Sequence, residues 1–365
     1  MSRKKVKLKS SVVVLLTSCT IAVLICVFFM TTFLPFLNLI NNSLKDSNEG
    51  KTHFFKNIIS SDNFSDDDGK ENTDYVDTPS DGNNTFTRVT NMKGLVKPGT
   101  INIMIIGVDD PNEGRFDTMV LCSIDRDAHT IKLISIPRDT YVPYSDSVMS
   151  VFRKNFPAFA AAKGSMKLNA TYNVGNVIKY NDKAPFTSAG MNFFHDTIQD
   201  LYNIDFVDYV YFDFEGFIGL IDIMGGIDIT AERDIRNDRG EMILGKGTSH
   251  VDGERALMYA RHRYLYDQYG NPIPTEGDTY RKQNQLTLLM DMARQLVTMK
   301  NIPKTGELLT QLRKNVFHSI DASDIVKYSD IAIEFTQGKY TLHSYLITGV
   351  DADPLGDNAS YVIVK

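Results

Sequence analysis

Cysteine is scarce. Of three, Cys19 and Cys26 lie in an apolar amino-terminal run and Cys122 stands alone in the strand-like "MVLCSI", so no structural disulfide can be drawn. Metal-type spacings of Cys and His are absent, as are a P-loop and the glycine fingerprint of dinucleotide folds, and no Ser, His and Asp grouping stands out. There are no internal repeats. Basic residues are not in excess: the 365-residue chain has a formal net charge of -6 and no nucleic-acid-reading motif, which excludes nucleic acid as a partner. Any anion bound by this chain must therefore meet a local basic patch.

Charge is missing altogether from Ser10 to Leu44, directly after Arg3, Lys4, Lys5, Lys7 and Lys9. Crossing the hydrocarbon core takes roughly 20 apolar residues, and the run supplies them. It predicts a transmembrane helix at residues 12–40 behind a cytoplasmic basic tail at residues 1–11. A cleaved signal peptide is the alternative reading, but the run is too long for one and has "MTTFLPF" where a small-x-small site would fall. Basic flanks stay in the cytoplasm, so the expectation is a single-pass cell-membrane protein with its working domain outside the cell. Residues 41–98, with the acidic "SSDNFSDDDGKENTDYVDTPSDGNNT", read as a flexible linker.

A folded domain is expected over residues 99–365, with 42% hydrophobic residues in the whole chain, ordinary for a packed core. "INIMIIGV", "TMVLCSID" and "TIKLISIP" read as consecutive buried strands. "FPAFAAAKG" and "SAGMNFFHDTIQDLYN" carry helical spacing, and "FVDYVYFD" alternates like a strand. "FEGFIGLIDIMGG" is a helix closed by Gly225 and Gly226, after which "IDIT" resumes the sheet. "DGERALMYARHR" has Asp252 as its N-cap, and residues 278–299 show Leu286, Leu289, Ala293, Leu296 and Val297 on one stripe. Two more helices and "YTLHSYLITG" close the chain. Strands interleaved with helices predict an α/β fold, a three-layer α/β/α domain with a central mixed sheet.

The chemistry gathers at element ends. In "GVDDPNEGRFDT", Asp109 and Asp117 flank a loop between two predicted strands, so their carboxylates can meet at one end of the sheet, where α/β folds place ligands. Two hard oxygen donors are the usual protein share of a Mg²⁺ site completed by substrate phosphate. The same acids also suit a solvated, turn-forming loop. Arg138 follows a strand in "SIPRDT", Arg261 and Arg263 end a helix in "YARHRY", and Asp278, Arg281 and Gln285 share a face at the start of the next helix. Each arginine alone suits a surface ion pair or a helix dipole. Together with Arg115 they form a set whose guanidinium forks fit phosphate oxygens.

With these residues assembled, the chain resembles the LytR-CpsA-Psr family of bacterial envelope proteins. The likeness runs from about residue 99 to the carboxyl end. It rests on "GVD" and "FDT", "SIPRDTYV", "KLNATYNVG", "VDYVYFDFEGF", "IDIMGGIDI", "LMYARHR" and "GDTYRKQNQ". The resemblance implies a Mg²⁺-dependent phosphotransferase that moves an anionic glycopolymer, such as teichoic acid or capsule, from a polyprenyl diphosphate carrier to peptidoglycan. It implies Asp109 and Asp117 as metal carboxylates, and Arg138, Arg261, Arg263 and Arg281 as diphosphate contacts. Asp278 and Gln285 would organise the site, with Lys167 and Asn169 shaping or lining the cleft.

Two departures from the family pattern stand out. The first loop is short, with Asp110 and Pro111 where an arginine is usual, which leaves Arg115 to substitute. Asn284 replaces another arginine, implying one phosphate contact fewer. The expected mechanism is in-line transfer in which a muropeptide sugar hydroxyl attacks phosphorus and polyprenyl phosphate leaves, with Asp278 as first candidate for the proton acceptor and Asp117 as second. "FEGFIGLIDIMGG" and "MNFFHDTI" are candidate walls for the lipid tail, or plain core. The alternatives are a polyprenyl-diphosphate hydrolase using water at the same site and a noncatalytic lipid-binding envelope regulator.

Overall fold

A computed structural model describes residues 76–77, 86–109, 114–181, 185–231, 233–273, 277–296, 316–320 and 322–364. The expected tail 1–11 and membrane helix 12–40 lie outside them, as does most of the linker. Among the described residues no helix is long and apolar enough to cross a membrane. The chain falls into two units. One, His53–Ser319 with Ile331–Lys365, holds the sheet and the site; of the other, only Ile320 and the helical Ala322–Asp330 are described.

In chain order the elements are β1 (Val76–Asp77), β2 (Phe86–Val89), β3 (Ile101–Gly107), β4 (Thr118–Asp125), β5 (Thr130–Ser135), α1 (Asp146–Asn155), α2 (Pro157–Ala160) and a 3-10 turn (Leu168–Ala170). There follow α3 (Thr171–Ile178), α4 (Ala189–Tyr202), β6 (Asp208–Phe212), α5 (Phe214–Met224), β7 (Ile227–Ala231), β8 (Ile235–Arg236), β9 (Met242–Leu244), β10 (Gly247–Val251) and α6 (Gly253–Arg261). The last are β11 (Leu265–Tyr266), β12 (Pro272–Ile273), α7 (Asp278–Leu296), β13 (Val316–His318), α8 (Ala322–Thr336), β14 (Thr341–Ile347), β15 (Val350–Ala352) and β16 (Tyr361–Ile363).

The central sheet is mixed, as expected, with strand order β1-β2-β14-β5-β4-β3-β6-β13. The β3–β4–β5 meander is antiparallel, whereas β6 runs parallel to β3, and β14 parallel to both β5 and β2. Period-two alternation sends side chains to opposite faces. Met104, Ile106, Met119, Leu121 and Ile134 meet Phe152, Val174, Phe193, Phe194 and Ile198 of α1, α3 and α4 on one face. On the other face Val120, Leu133 and Leu346 meet Leu286 and Met290 of α7. Helices thus cover both faces of the sheet.

Three expectations change. The sheet begins before residue 99: Phe86–Val89, inside the expected linker, pairs parallel with β14, and Val89, Met92 and Leu95 are buried in the main core. "IDIT" does not resume the central sheet. It forms β7, which among the described residues pairs only with β10 and packs Ile227 and Ile229 into a second core with α5, α6 and α7. Helix α7 carries no single stripe, because it is wedged between two cores. Leu286 and Met290 face the sheet, Leu288 and Met292 face the second core, and Leu289 packs against both.

Local signals set the helix ends near the site. Asp213 caps α5 by accepting from Gly216 N, and Gly225 closes it in the left-handed region at φ 86°. Asp252 caps α6 by accepting from Arg255 N at 2.9 Å, the cap expected from the sequence.

Candidate functional site

Strands β3, β5 and β6 point the same way, so their carboxyl ends open onto one side of the molecule. Short backbone bonds stitch the loops there. Asp117 N donates to Gly107 O at 2.9 Å, Asn169 N to Arg138 O at 3.0 Å and Phe116 N to Asn169 O at 3.2 Å. Phe116, fully buried, lies edge-on to Phe194 with ring centres 5.0 Å apart, pinning the loop that presents Asp117.

Six of the predicted residues line one cavity of about 350 Å³: Asp109, Asp117, Arg261, Arg263, Arg281 and Gln285. Its floor is apolar, built from Ile105, Phe212, Phe217, Leu257, Leu288 and Leu289 of β3, β6, α5, α6 and α7. Polar groups at the mouth and hydrocarbon below suit a ligand with a charged head and an apolar tail.

The charged groups form a connected set. Arg138 pairs with Asp117, while Arg261 reaches Asp109 Oδ2 at 3.3 Å and lays its guanidinium over the Phe214 ring, 4.3 Å from the centroid. Asp109 N donates to Asp117 Oδ2 at 3.3 Å, which ties the two carboxylate-bearing segments together. Arg281, 6% exposed, pairs with Asp278, which also takes Lys282 at 2.9 Å. Arg138, Arg261, Arg263, Arg281 and Lys282 thus stand against Asp109, Asp117, Asp139, Asp213 and Asp278, five charges of each sign around the mouth. Arg281 Nε is buried there without a hydrogen-bond partner among the described residues. A buried donor left unpaired costs stability unless a ligand meets it.

The protonation of these groups follows from their neighbours. Partial burial and the Asp117 charge raise the Asp109 pKa above its usual value, outweighing Arg261, Arg281 and Arg138. For Asp278, burial acts upward but Lys282, Arg281 and Arg138 together hold its pKa below the ordinary value. Burial, with the Arg138 and Arg263 charges, lowers that of Arg281 against the pull of Asp278 and Asp117. Asp109 and Asp117 are two hard oxygen donors side by side, and a divalent cation would relieve their repulsion. Among the described residues no group of three or more His, Cys, Asp or Glu could hold a metal.

Several expected positions fall elsewhere. Arg115 is not at the cavity: its guanidinium lies 5.8 Å from the Phe159 ring centre and is exposed on α2. Lys167 does not line it either. Its ammonium binds Asp139 Oδ1 at 2.8 Å and sits over the Tyr361 ring at 5.5 Å. Asp139 lies 3.6 Å from Arg138 Nε, so Lys167 acts on the cavity only through Asp139 and Arg138. Asn169 contributes the backbone bonds above. Arg138 and Asp278 adjoin the cavity by pairing with Asp117 and Arg281.

Asn284, read as a lost phosphate contact, is 4% exposed and turned away from the cavity. Its Nδ2 donates to Tyr259 O at 3.2 Å and His262 O at 3.5 Å, holding the end of α6 that carries Arg261 and Arg263. "MNFFHDTI" is no wall of the cavity, since Phe193, Phe194 and Ile198 are fully buried in the core on the opposite sheet face; Phe214 and Phe217 of "FEGFIGLIDIMGG" do line it. Asp139 and Phe214 were missed, although the Arg-Asp pair in "SIPRDT" and the aromatic after Asp213 were visible signals.

Sheet ends that gather a carboxylate pair and a guanidinium cluster over an apolar cavity define a mixed α/β protein with a charged site at the carboxyl ends of its strands. The LytR_cpsA_psr family model matches residues 64–364, and the chain belongs to that family. It is 28% identical over 275 residues to polyisoprenyl-teichoic acid–peptidoglycan teichoic acid transferase TagV of Bacillus subtilis (strain 168), covering 73% of this chain and 61% of that protein. It is 26% identical over 247 residues to Biofilm regulatory protein A of Streptococcus mutans, covering 63% of this chain and 53% of that protein. The chain thus spans about three fifths or less of the length of these curated relatives. The crystal structure of B. subtilis TagV shares the fold at TM-score 0.51 and 25% identity, over 74% of this chain and 92% of that one. TagT bound to LI-WTA shares it at TM-score 0.51 and 20% identity, over 76% and 90%.

Proposed function

We propose that this chain is an extracytoplasmic phosphotransferase. It moves an anionic glycopolymer of the teichoic acid or capsule kind from a polyprenyl diphosphate carrier to peptidoglycan, and releases polyprenyl phosphate. The observation that carries this reading is the Arg281 guanidinium, buried at the cavity mouth with Nε unpaired, above an apolar floor that suits a lipid tail. The names of the transferase relatives support the same substrate class.

In the proposed reaction the oxygen of an acceptor sugar hydroxyl bonds to the phosphorus bearing the glycopolymer. The bond from that phosphorus to the oxygen of polyprenyl phosphate breaks, and the electron pair leaves on that oxygen. Transition states of this kind are loose, so positioning and charge compensation do most of the work. Arg261, Arg263 and Arg281 hold the diphosphate oxygens, and Arg138 keeps Asp117 in place. Asp109 and Asp117 would hold Mg²⁺, which supplies charge neutralisation on the phosphate oxygens when bound.

Asp278 suits proton abstraction poorly, because Arg281 and Lys282 occupy it and it lies beside the cavity rather than in its wall; we assign it to orienting Arg281. The acceptor's proton leaves at the solvated mouth, where Asp109 is half exposed. In this reading residues 12–40 anchor the chain in the cell membrane with the amino terminus inside, delivering the cavity to a lipid carrier.

The test is transfer by the purified full chain with and without glycan acceptor, in Mg²⁺ and in chelator. Product that forms only with acceptor supports the transferase. Release of polyprenyl phosphate at the same rate without acceptor identifies a hydrolase, and no turnover with retained lipid binding identifies a regulator.

A further inference from the structure

A second cavity of about 780 Å³ lies beside the first and is more open to solvent. The two share Leu257, Arg261 and Arg263, so the same guanidinium groups face both. We propose that this groove binds the glycan acceptor, a chain of N-acetylated sugars, with Tyr264 as its stacking platform. The inference rests on the transferase reading above and names the place of its second substrate.

The groove is built rather than incidental. Asp238 comes from the turn joining β8 and β9, Glu254 and Met258 from α6, and Tyr264 and Tyr266 from the stretch that follows α6. Its framing turns rest backbone on backbone. A Cβ on Gly240 would stand 2.6 Å from Gln268 O, and one on Gly270 2.6 Å from Asp238 O. Only glycines allow that approach, and it holds Asp238 in place. The His262 ring is part of the same wall, with Nε2 buried and no hydrogen-bond partner among the described residues.

The chemistry of the wall selects its occupant. Tyr264 is 55% exposed and Met258 53%, presenting an aromatic face and a thioether to the groove. Sugar rings offer C–H faces that pack on aromatic rings and hydroxyls that donate to carboxylates. Asp238 and Glu254 provide those carboxylates, and neither has a hydrogen-bond or ion-pair partner among the described residues. Asp238 and Glu254 stand against Arg261 and Arg263 in the same wall, so the groove carries no net charge, which fits an uncharged glycan better than the anionic glycopolymer or an anionic membrane surface.

Reaction geometry agrees. In an in-line displacement the attacking oxygen enters opposite the leaving group. Polyprenyl phosphate belongs over the apolar floor of the first cavity, so the nucleophile must come from the other side of the shared arginines, where this groove opens.

The experiment uses the full chain in detergent and isothermal calorimetry with two probes. These are a β-1,4-linked N-acetylglucosamine tetrasaccharide and geranyl diphosphate, a short mimic of the lipid carrier. The tetrasaccharide is expected to bind the parent and to bind Tyr264→Ala about tenfold more weakly. Tyr264→Phe should restore affinity, and geranyl diphosphate should bind all three proteins equally, which also shows that the variants fold.

Tetrasaccharide binding that is absent from the parent, or unchanged in Tyr264→Ala, overturns the acceptor site while leaving the transferase reading intact. Loss of binding to phosphatidylglycerol vesicles in Tyr264→Ala, without tetrasaccharide binding, makes the face a membrane contact and also overturns it. Geranyl diphosphate that fails to bind the parent contradicts the transferase reading itself.

Discussion

Replacing Asn284 with alanine removes the polar side-chain reach that α7 makes to Tyr259 O and His262 O. At 4% exposure, water cannot take its place. The bond to Tyr259 O at 3.2 Å is a full hydrogen bond, whereas the one to His262 O at 3.5 Å is at the limit. Tyr259 O still accepts from His262 N at 3.3 Å, so what is lost is one buried hydrogen bond of about 0.5–1.5 kcal/mol, and the variant is expected to lose about 1 kcal/mol. For a domain of this size each kcal/mol lowers Tm by about 2–4 °C, which gives a fall of about 2–4 °C. Because these carbonyls fix the helix end bearing Arg261 and Arg263, KM for the lipid diphosphate should rise while kcat changes less. Asn284→Arg should be worse in both respects, since a guanidinium there would be buried without a carboxylate. Thermal unfolding and steady-state kinetics check this together. A Tm within about 1 °C of the parent and an unchanged KM would refute the positioning role.

Charge reversal of stability separates the acids. Asp278 has a lowered pKa in the folded state, so its ionised form adds stability above its unfolded pKa of about 3.9, lost as pH falls through the folded value. Asp278→Asn should therefore be less stable than the parent at pH 7, the gap closing in acid. Asp109 has a raised pKa, so its contribution is present below the unfolded pKa and is lost as pH rises through the folded one; Asp109→Asn should be more stable than the parent at pH 7 in chelator yet lose turnover. Denaturant titrations at several pH values read both. Phe116→Ala, emptying a fully buried ring site, should cost about 3–5 kcal/mol and disable turnover by freeing the Asp117 loop, measured by chemical unfolding and activity. Leu289→Phe narrows the apolar floor and should raise KM for a long polyprenyl donor more than for geranyl diphosphate, visible in paired kinetics.

The parts of the fold read correctly from sequence are those whose signal is local. The β3–β4–β5 meander shows as apolar strands joined by short turns, and α5 and α6 announce themselves through Gly225 and Asp252. The site acids and most arginines were legible because each sits where an element begins or ends. What escaped depends on distant partners. "FTRV" is short and half polar, and becomes a strand only beside Thr341–Ile347, which lies far along the chain. Helix α7 shows one stripe locally but meets two cores, so Leu288 and Met292 gain burial no single periodicity predicts. Arg115 and Lys167 carry the right charge but point to Phe159 and Asp139, a matter of side-chain direction that spacing does not encode. Asn284 looked like a lost contact because its partners are backbone carbonyls of another helix.

The central claim is that Arg281 and its neighbours hold a lipid-borne diphosphate during transfer to a glycan. Its most direct measurement is transfer of a labelled glycopolymer from polyprenyl diphosphate to peptidoglycan glycan by the full chain, comparing the parent with Arg281→Met. Removing one partner of a buried charge-assisted contact costs about 2–5 kcal/mol, so the variant should fall by roughly 30-fold or more, with polyprenyl phosphate and glycan product appearing in equal amounts in the parent. Undiminished transfer in Arg281→Met would contradict the account.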